Sequence, residues 1–274
     1  MIRRQVPMDE GVEESHEPTP DLMWQRLMIV NVAYFGVRNA ADWVLIDTGV
    51  TGSADAITQA AEARFGVDAR PAAIVLTHGH FDHAGCVEEL VRQWNVPVYA
   101  HELELPYLDG RTAYPPPDPS VGGGLMARFS GLYPRGPVNV AGRLHALPAD
   151  GTVPAMPSWR WLHVPGHTPG QVALWREADR SLLSADAFIT TNQESAYAVA
   201  MQSPELHGPP MYYTQDWDEA RKSVERLAAL EPELVITGHG PAMRGEAMRK
   251  ALHRLADDFD RIAVPEKERH HLHR

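Results

Sequence analysis

The sequence THGHFDH, residues 77–83, contains three histidines and one aspartate. It directly follows the apolar run 72–76, which has the length and composition of a short buried strand. Imidazole and carboxylate groups are common ligands of zinc and other divalent ions. The stretch therefore predicts the start of a metal site at the end of a strand.

Three further polar residues follow strand-like runs later in the chain: His167 in VPGHTPG, Asp186 in SLLSADAF and His239 in ELVITGHG. The small residues beside them let the backbone approach an ion closely. Strand ends on one edge of a sheet are where α/β proteins collect functional side chains. We therefore count these three side chains together with the first cluster.

The candidate ligands are five histidines and two aspartates: His78, His80, His83, His167, His239, Asp82 and Asp186. One tetrahedral zinc takes three or four ligands, so this set suits two ions if one carboxylate bridges them. His78 and His80 are two residues apart and share one side of an extended segment, whereas Asp82 and His83 follow a turn and can face another ion. The set contains no thiolate, which favours zinc and leaves iron or manganese open.

The net charge, the cysteine content and the lack of long apolar runs limit the binding partners and the compartment that we expect. The chain of 274 residues has a formal net charge of −11, which argues against non-specific binding to nucleic acid or to an anionic membrane surface. Its single cysteine, Cys86, excludes an intramolecular disulfide and fits a reducing compartment. No run reaches membrane-spanning length, and the N-terminus lacks the apolar segment of a signal peptide. We therefore expect a cytoplasmic protein with a small-molecule substrate.

The order of elements predicts one large domain. Residues 1–20 are polar, acidic and proline-bearing, so we expect a poorly ordered arm, followed by a single domain at 21–274. Strand-like and helix-like segments alternate, with a loop insertion at about 104–142 that contains one short amphipathic helix at 125–133. Ser53 is the expected N-cap of a helix over 53–64, and the last helix is expected over about 242–262.

These motifs resemble those of the metallo-β-lactamase-fold hydrolase superfamily, which includes glyoxalase II. Asp47 in LIDTG, THGHFDH, GHTPG, the Asp186 segment and GHG occur in the order of that family, over about residues 22–262. The resemblance implies an αββα sandwich, with two mixed β-sheets back to back and helices on the outer faces. It further implies how the metal ligands divide. His78, His80 and His167 would bind a first ion, Asp82, His83 and His239 a second, and Asp186 would bridge, while Asp47 would orient ligand imidazoles.

Such a site predicts hydrolysis without a serine or cysteine nucleophile. Two divalent ions lower the pKa of a bridging water and polarise the substrate oxygen. Asp82 is the candidate proton acceptor, because it combines a metal contact with a free carboxylate oxygen. We expect cleavage of a small ester, lactone, thioester or phosphoester. The alternative is a catalytically silent protein of the same fold that serves as a metal-binding sensor or partner-binding module.

The sequence narrows the substrate only in part. Few residues follow His239, so the additional basic helical region with which glyoxalase II relatives hold glutathione is not matched. Lactonases of this fold carry a tyrosine three residues after the bridging aspartate, where this chain has Ile189. The loops 104–142 and 193–217 have the composition of a lid or pocket wall and could equally form a homodimer interface. Four residues of the second loop are candidate pocket residues: Tyr197, His207, Tyr212 and Tyr213.

Overall fold

The computed structural model describes residues 15–118, 135–136, 138–191 and 205–269. Within these ranges the chain forms two mixed β-sheets with helices on their outer faces, so the predicted αββα sandwich is confirmed. The first sheet has the order of the chain: β1 (Ser15–Thr19), β2 (Leu22–Leu27), β3 (Val30–Phe35), β4 (Val44–Ile46), β5 (Ala73–Val75), β6 (Val98–Ala100) and β7 (Leu144–Ala146). Its first four strands pair antiparallel, and β4 to β7 are parallel.

The second sheet is formed by the later part of the chain. Its strands are β8 (Thr152–Val153), β9 (Met156–His163), β10 (Val172–Arg176), β11 (Ser181–Ala185), β12 (Leu234–Thr237) and β13 (Met243–Arg244), in the order β13-β12-β11-β10-β9-β8. Only the β11–β12 pair is parallel among these described strands. The helices are α1 (Ala54–Phe65), α2 (Val87–Trp94), α3 (Leu105–Leu108), α4 (Trp217–Ala228), α5 (Gly245–Asp257), α6 (Phe259–Ile262) and α7 (Glu266–Arg269). The described residues also form 3₁₀ turns at Glu102–Glu104 and Met211–Tyr213.

Alternating side chains of the short strands fill separate layers of the core. Val44 and Ile46 of β4 pack between the two sheets, while Leu45 faces the layer below α1 and α2. This alternation follows from the two-residue period of a strand, and it explains why β4 is apolar throughout. In the outer layer the ring of Trp43 stacks on Phe65 at 4.5 Å and meets Trp94 edge-on at 5.8 Å, which fixes both helices to the sheet.

The two sheets are joined at the edge where the candidate ligands lie. The backbone N–H of Asn31 donates to the Gly238 carbonyl at 2.7 Å, and the backbone N–H of Val172 donates to the Thr77 carbonyl at 3.0 Å. The Asn31 side-chain amide also donates to the carbonyls of Thr237 and Gly240. These bonds fix the ends of β5 and β12 relative to each other. They therefore also fix the ligand-bearing segments that follow these strands.

The structure corrects two expectations from the sequence and confirms a third. Residues 15–19 belong to β1 and not to an unstructured arm, because the buried Arg64 guanidinium holds Glu17 at 2.9 Å and His16 stacks on Trp24 at 4.6 Å. Ser53 occupies the N-cap position of α1, as predicted, although its side chain makes no capping hydrogen bond. The long final helix is interrupted at Asp258, whose backbone leaves the helical region with φ −111° and ψ 25°.

Other expectations fall outside what the structure describes. The helix predicted over 125–133 and residues 1–14 of the arm lie outside the described residues. The described helices contain none with the length and apolarity that crossing a bilayer requires.

Candidate metal centre

All seven candidate ligands are buried and meet at one edge of the sandwich. Residues 78–83 follow β5, so four ligands come from the first sheet. His167 lies in the loop between β9 and β10, Asp186 follows β11 and His239 follows β12, so three come from the second sheet. The parallel pairs β4–β5 and β11–β12 place the carboxyl ends of their strands at this edge.

Three imidazole nitrogens of the first group converge on one point. The Nδ1 atom of His80 lies 3.1 Å from Nε2 of His78 and 3.0 Å from Nε2 of His167. Nitrogen ligands around a tetrahedral zinc at about 2.0–2.1 Å are roughly 3.3 Å apart, so this spacing is close to that of a metal site. Within each close pair of nitrogens, at most one can carry a proton and donate it to the other. A divalent ion at the centre would instead accept the lone pairs of all three nitrogens.

The second group is formed by Asp82, His83 and His239, whose ligand atoms lie within 4.8 Å of one another. Oδ2 of Asp82 is 3.5 Å from Nε2 of His239. Nε2 of His83 makes no hydrogen bond in the described part of the chain, although it is buried. A buried nitrogen that makes no hydrogen bond is costly, and a coordination bond to a metal ion would satisfy it.

Asp186 lies between the two groups. Its Oδ2 atom is 3.1 Å from Nε2 of His239 and 3.5 Å from Nε2 of His167, while its Oδ1 atom is 3.5 Å from Nε2 of His83. One carboxylate therefore contacts ligand nitrogens of both groups. Oδ1 is buried and accepts no hydrogen bond from the described residues.

Four of the five imidazoles are oriented by an oxygen at the nitrogen that faces away from the cluster. Asp47 Oδ2 accepts from Nδ1 of His83 at 2.8 Å, and the Ile29 carbonyl accepts from Nδ1 of His239 at 2.6 Å. The hydroxyls of Thr77 and Thr214 lie 3.2 Å from Nδ1 of His78 and of His167, respectively. Such contacts fix the tautomer and leave the inward nitrogen free to bind an ion.

Asp47 organises two ligands at once. Its carboxylate also accepts the backbone N–H and the hydroxyl of Thr77, both at 2.8 Å, and the Thr77 hydroxyl in turn contacts His78. Asp47 itself has a φ of 60°, a left-handed conformation that aspartate tolerates better than most residues. The position predicted to orient imidazoles therefore has the contacts that this role requires.

In the absence of metal, the histidine pKa values of the two groups are shifted in opposite directions. Burial lowers the pKa of His167 to about 4, and burial with neighbouring imidazoles lowers the pKa values of His78 and His80 well below the usual value. Burial also opposes the charge of His83 and His239, but the neighbouring carboxylates together outweigh it and raise both pKa values: Asp186 and Asp47 act on His83, and Asp186 and Asp82 act on His239. The first group is thus three neutral imidazoles, which is the form that binds metal.

The predicted pocket residues differ in their relation to these ligands. The ring of Tyr213 lies 4.7 Å from the ring of His80, and Tyr212 packs on Tyr213 at 5.2 Å. His207 pairs with Ile189 in a short β-bridge and contacts Glu205 at 3.3 Å, and no hydrogen bond or ring contact in the described residues joins it to a candidate ligand. Tyr197 lies outside the described residues.

Sequence reasoning missed several residues that contact the ligands or their loops. Thr214 and the Ile29 carbonyl are distant in sequence from the histidines they contact. Glu104 and Tyr114 lie in the segment interpreted as a loop insertion, yet both bond to the backbone N–H of Gly79 between His78 and His80. A buried glutamate in an irregular segment has no periodic pattern, so the sequence offered no signal for it.

Comparison with known proteins agrees with this geometry. The sequence profile of the metallo-beta-lactamase superfamily matches residues 28–239. The chain belongs to the metallo-beta-lactamase superfamily. Within this superfamily it is 46% identical over 237 residues to the probable metallo-hydrolase YflN of Bacillus subtilis (strain 168), which covers 86% of this chain and 90% of YflN.

Solved structures of the metallo-beta-lactamase superfamily share the fold. TTHA1623, solved in a di-iron-bound form, is 28% identical with a TM-score of 0.53, and the match covers 85% of this chain and 94% of TTHA1623. The B3 metallo-beta-lactamase BLEG-1 is 25% identical with a TM-score of 0.55, over 83% of this chain and 91% of BLEG-1.

Proposed function

We propose that the chain is a hydrolase that works with two divalent ions. His78, His80 and His167 would hold the first ion, Asp82, His83 and His239 the second, and Asp186 both. The observation that carries the proposal is the position of Asp186, whose two oxygens lie 3.1–3.5 Å from ligand nitrogens of both groups. The resemblance to YflN, named a probable metallo-hydrolase, supports the hydrolytic class.

The donor set limits the choice of metal. Two bound ions would supply Lewis-acid activation of water and of the substrate oxygen. Imidazole and carboxylate donors favour zinc, and the di-iron form of TTHA1623 supports iron as the second choice. Manganese remains compatible with the same donors.

Asp82 is the residue that we assign to proton transfer. Burial raises the pKa of its carboxyl group, although the charges of His83 and His239 oppose the shift. A raised pKa brings a carboxylate closer to the range in which a general base is effective at neutral pH. The carboxylate can hold an ion through one oxygen and accept a proton at the other.

The substrate class that we propose is a small ester, lactone, thioester or phosphoester. A cavity of about 440 Å³ opens beside Gly79 and Phe81, but its described lining includes none of the seven candidate ligands, so the substrate class rests on the ligand set and not on this cavity. Tyr213 covers the ring of His80 and is the best supported of the predicted pocket residues. We keep a homodimer interface over the second loop as the competing role for Tyr212 and His207.

The test begins with metal analysis and continues with a substrate panel. Protein purified without chelator should contain close to two equivalents of metal per chain, and a reproducible single equivalent in excess zinc would contradict the dinuclear site. Chromogenic esters, lactones, thioesters and phosphoesters should then reveal one class whose hydrolysis a chelator abolishes and added metal restores. Two equivalents without hydrolysis of any class would favour the silent sensor or partner-binding module.

A further inference from the structure

Glu104 is a fully buried carboxylate outside the candidate ligand set. Its Oε1 atom accepts the hydroxyl of Thr168 and the backbone N–H of Gly170, both at 2.8 Å. Its Oε2 atom accepts the backbone N–H of Gly79 at 3.0 Å and the hydroxyl of Tyr114. Four donors thus converge on one side chain that contacts no candidate ligand directly.

The four donors come from segments that hold ligands of the first group. Gly79 lies between His78 and His80 at the end of β5, whereas Thr168 and Gly170 follow His167 in the loop between β9 and β10. One side chain therefore ties a loop of the first sheet to a loop of the second. Tyr114 continues the contact, because its ring lies 4.5 Å from the ring of His80.

The backbone is shaped to admit this carboxylate. A Cβ atom on Gly170 would lie 2.8 Å from Cγ and Oε1 of Glu104, and one on Gly79 would lie 2.8 Å from the Tyr114 hydroxyl. Both distances are too short for a Cβ atom, so glycine lets the His167 loop approach Glu104 this closely and lets the His80 loop approach Tyr114, which hydrogen-bonds Glu104. Two of the donors are backbone amides, which cannot reverse direction, so each oxygen of residue 104 must be an acceptor.

We propose that Glu104 is a positioning residue that holds His80 and His167 at the separation the first ion requires. It does so by hydrogen-bonding the loops of both histidines, and its negative charge favours a cation nearby. The inference rests on the metal site of the proposed function. It assigns Glu104 to the first group alone, since its contacts do not reach Asp82, His83 or His239.

The test uses two backgrounds that each retain one group. His239→Ala leaves the first group, and His167→Ala leaves the second. In each background, Glu104→Gln places an NH₂ group against a backbone N–H that needs an acceptor. Zn²⁺ affinity is measured by competition with a chromophoric chelator, which requires no knowledge of the substrate.

We expect Glu104→Gln to weaken Zn²⁺ binding about 10–100-fold in the His239→Ala background and less than about threefold in the His167→Ala background. Unchanged affinity in the first background, or equal losses in both, would overturn the proposal. Failure of the His239→Ala parent itself to bind Zn²⁺ would instead refute the first metal site of the proposed function, and the role of Glu104 with it.

A milder pair of variants guards against misfolding of Glu104→Gln. Thr168→Val removes one of the four hydrogen bonds at nearly constant volume, and Thr168→Ser keeps the hydroxyl. In the His239→Ala background we expect Thr168→Val to weaken Zn²⁺ binding several-fold and Thr168→Ser to retain the parent affinity. Equal affinities of the two variants would contradict the positioning role of Glu104.

Discussion

Asp47 and Asp186 are buried carboxylates beside the same histidines, but their contacts differ in kind. Asp47 accepts hydrogen bonds from His83 and from the backbone and hydroxyl of Thr77, so its oxygens are occupied by protein donors. Asp186 has one oxygen without a hydrogen bond from the described residues and faces nitrogens of both groups. Asp47 is therefore positioned to orient a ligand imidazole, whereas Asp186 is positioned to be a metal ligand itself.

This difference predicts unequal losses of metal. Asp47→Ala should weaken metal binding about 10–100-fold, because it removes only the orientation of His83 and His78. Asp186→Ala should weaken binding by more than this, because both ions lose a ligand. Titration of the two purified variants with Zn²⁺ checks the order, and equal affinities would contradict the bridging role.

Asp82 is expected to contribute more than a coordination bond. Asp82→Asn keeps the shape and can still offer an oxygen to an ion, but the amide cannot accept a proton. With a substrate from the panel, and with rates divided by measured metal content, turnover should fall about 10²–10⁴-fold, or roughly 3–5 kcal/mol of barrier. Turnover near that of the wild type at full occupancy would leave Asp82 as a ligand only.

The strand ends explain how much of the site could be predicted. His78, His167, Asp186 and His239 each follow a strand within a few residues, so a local pattern of apolar run and polar residue identifies them. Glu104 could not be found this way, since it lies 25 residues from Gly79 and 64 from Thr168 along the chain. Strand β1 could not be predicted for the same reason. It is stabilised by the ion pair of Glu17 with Arg64, which lies 47 positions later in the chain.

The turn after β12 depends on the small size of Gly238. A Cβ atom at this position would lie 1.9 Å from Oδ1 of Asp186 and 2.8 Å from Cε1 of His83. Gly238→Ala should therefore displace Asp186 and weaken metal binding on the order of 10–100-fold, comparable to other changes that misplace ligands.

Gly142→Ala, at a glycine outside this turn, is the control variant for Gly238→Ala. No atom lies within 4 Å of a Cβ at Gly142, so this variant should keep the metal content and affinity of the wild type. Metal analysis of both variants, with circular dichroism to verify folding, decides the matter. A Gly238→Ala protein with wild-type affinity would show that the Asp186 position is not fixed by this turn.

The two sheets each supply an incomplete set of ligands. His167, Asp186 and His239 come from the second sheet, and the remaining four come from residues 78–83 after β5 of the first. In the proposed arrangement each ion has ligands from both sheets. Metal binding should therefore favour the folded state strongly, because the unfolded chain does not hold these groups together.

Metal removal should lower the melting temperature of the whole domain. A ligand at 100 times its dissociation constant adds about 2.7 kcal/mol to the free energy of unfolding for each site. For a domain of this size, that corresponds to roughly 5–10 °C for each ion. Calorimetry of the protein with Zn²⁺ and with chelator checks the shift. A His78→Ala/His239→Ala protein, which lacks one ligand of each group, should show almost none.

The separation of the sheets along the chain also has a consequence for biosynthesis. Every described strand of the first sheet lies within residues 15–146, and every described strand of the second lies within 152–244. A ribosome therefore synthesises the described strands of the first sheet before those of the second. The histidines of THGHFDH are synthesised 84–89 residues before His167, and during that interval the second sheet offers no ligand for an ion. In the proposed arrangement, complete coordination of either ion must therefore wait until the second sheet has been synthesised and has packed against the first.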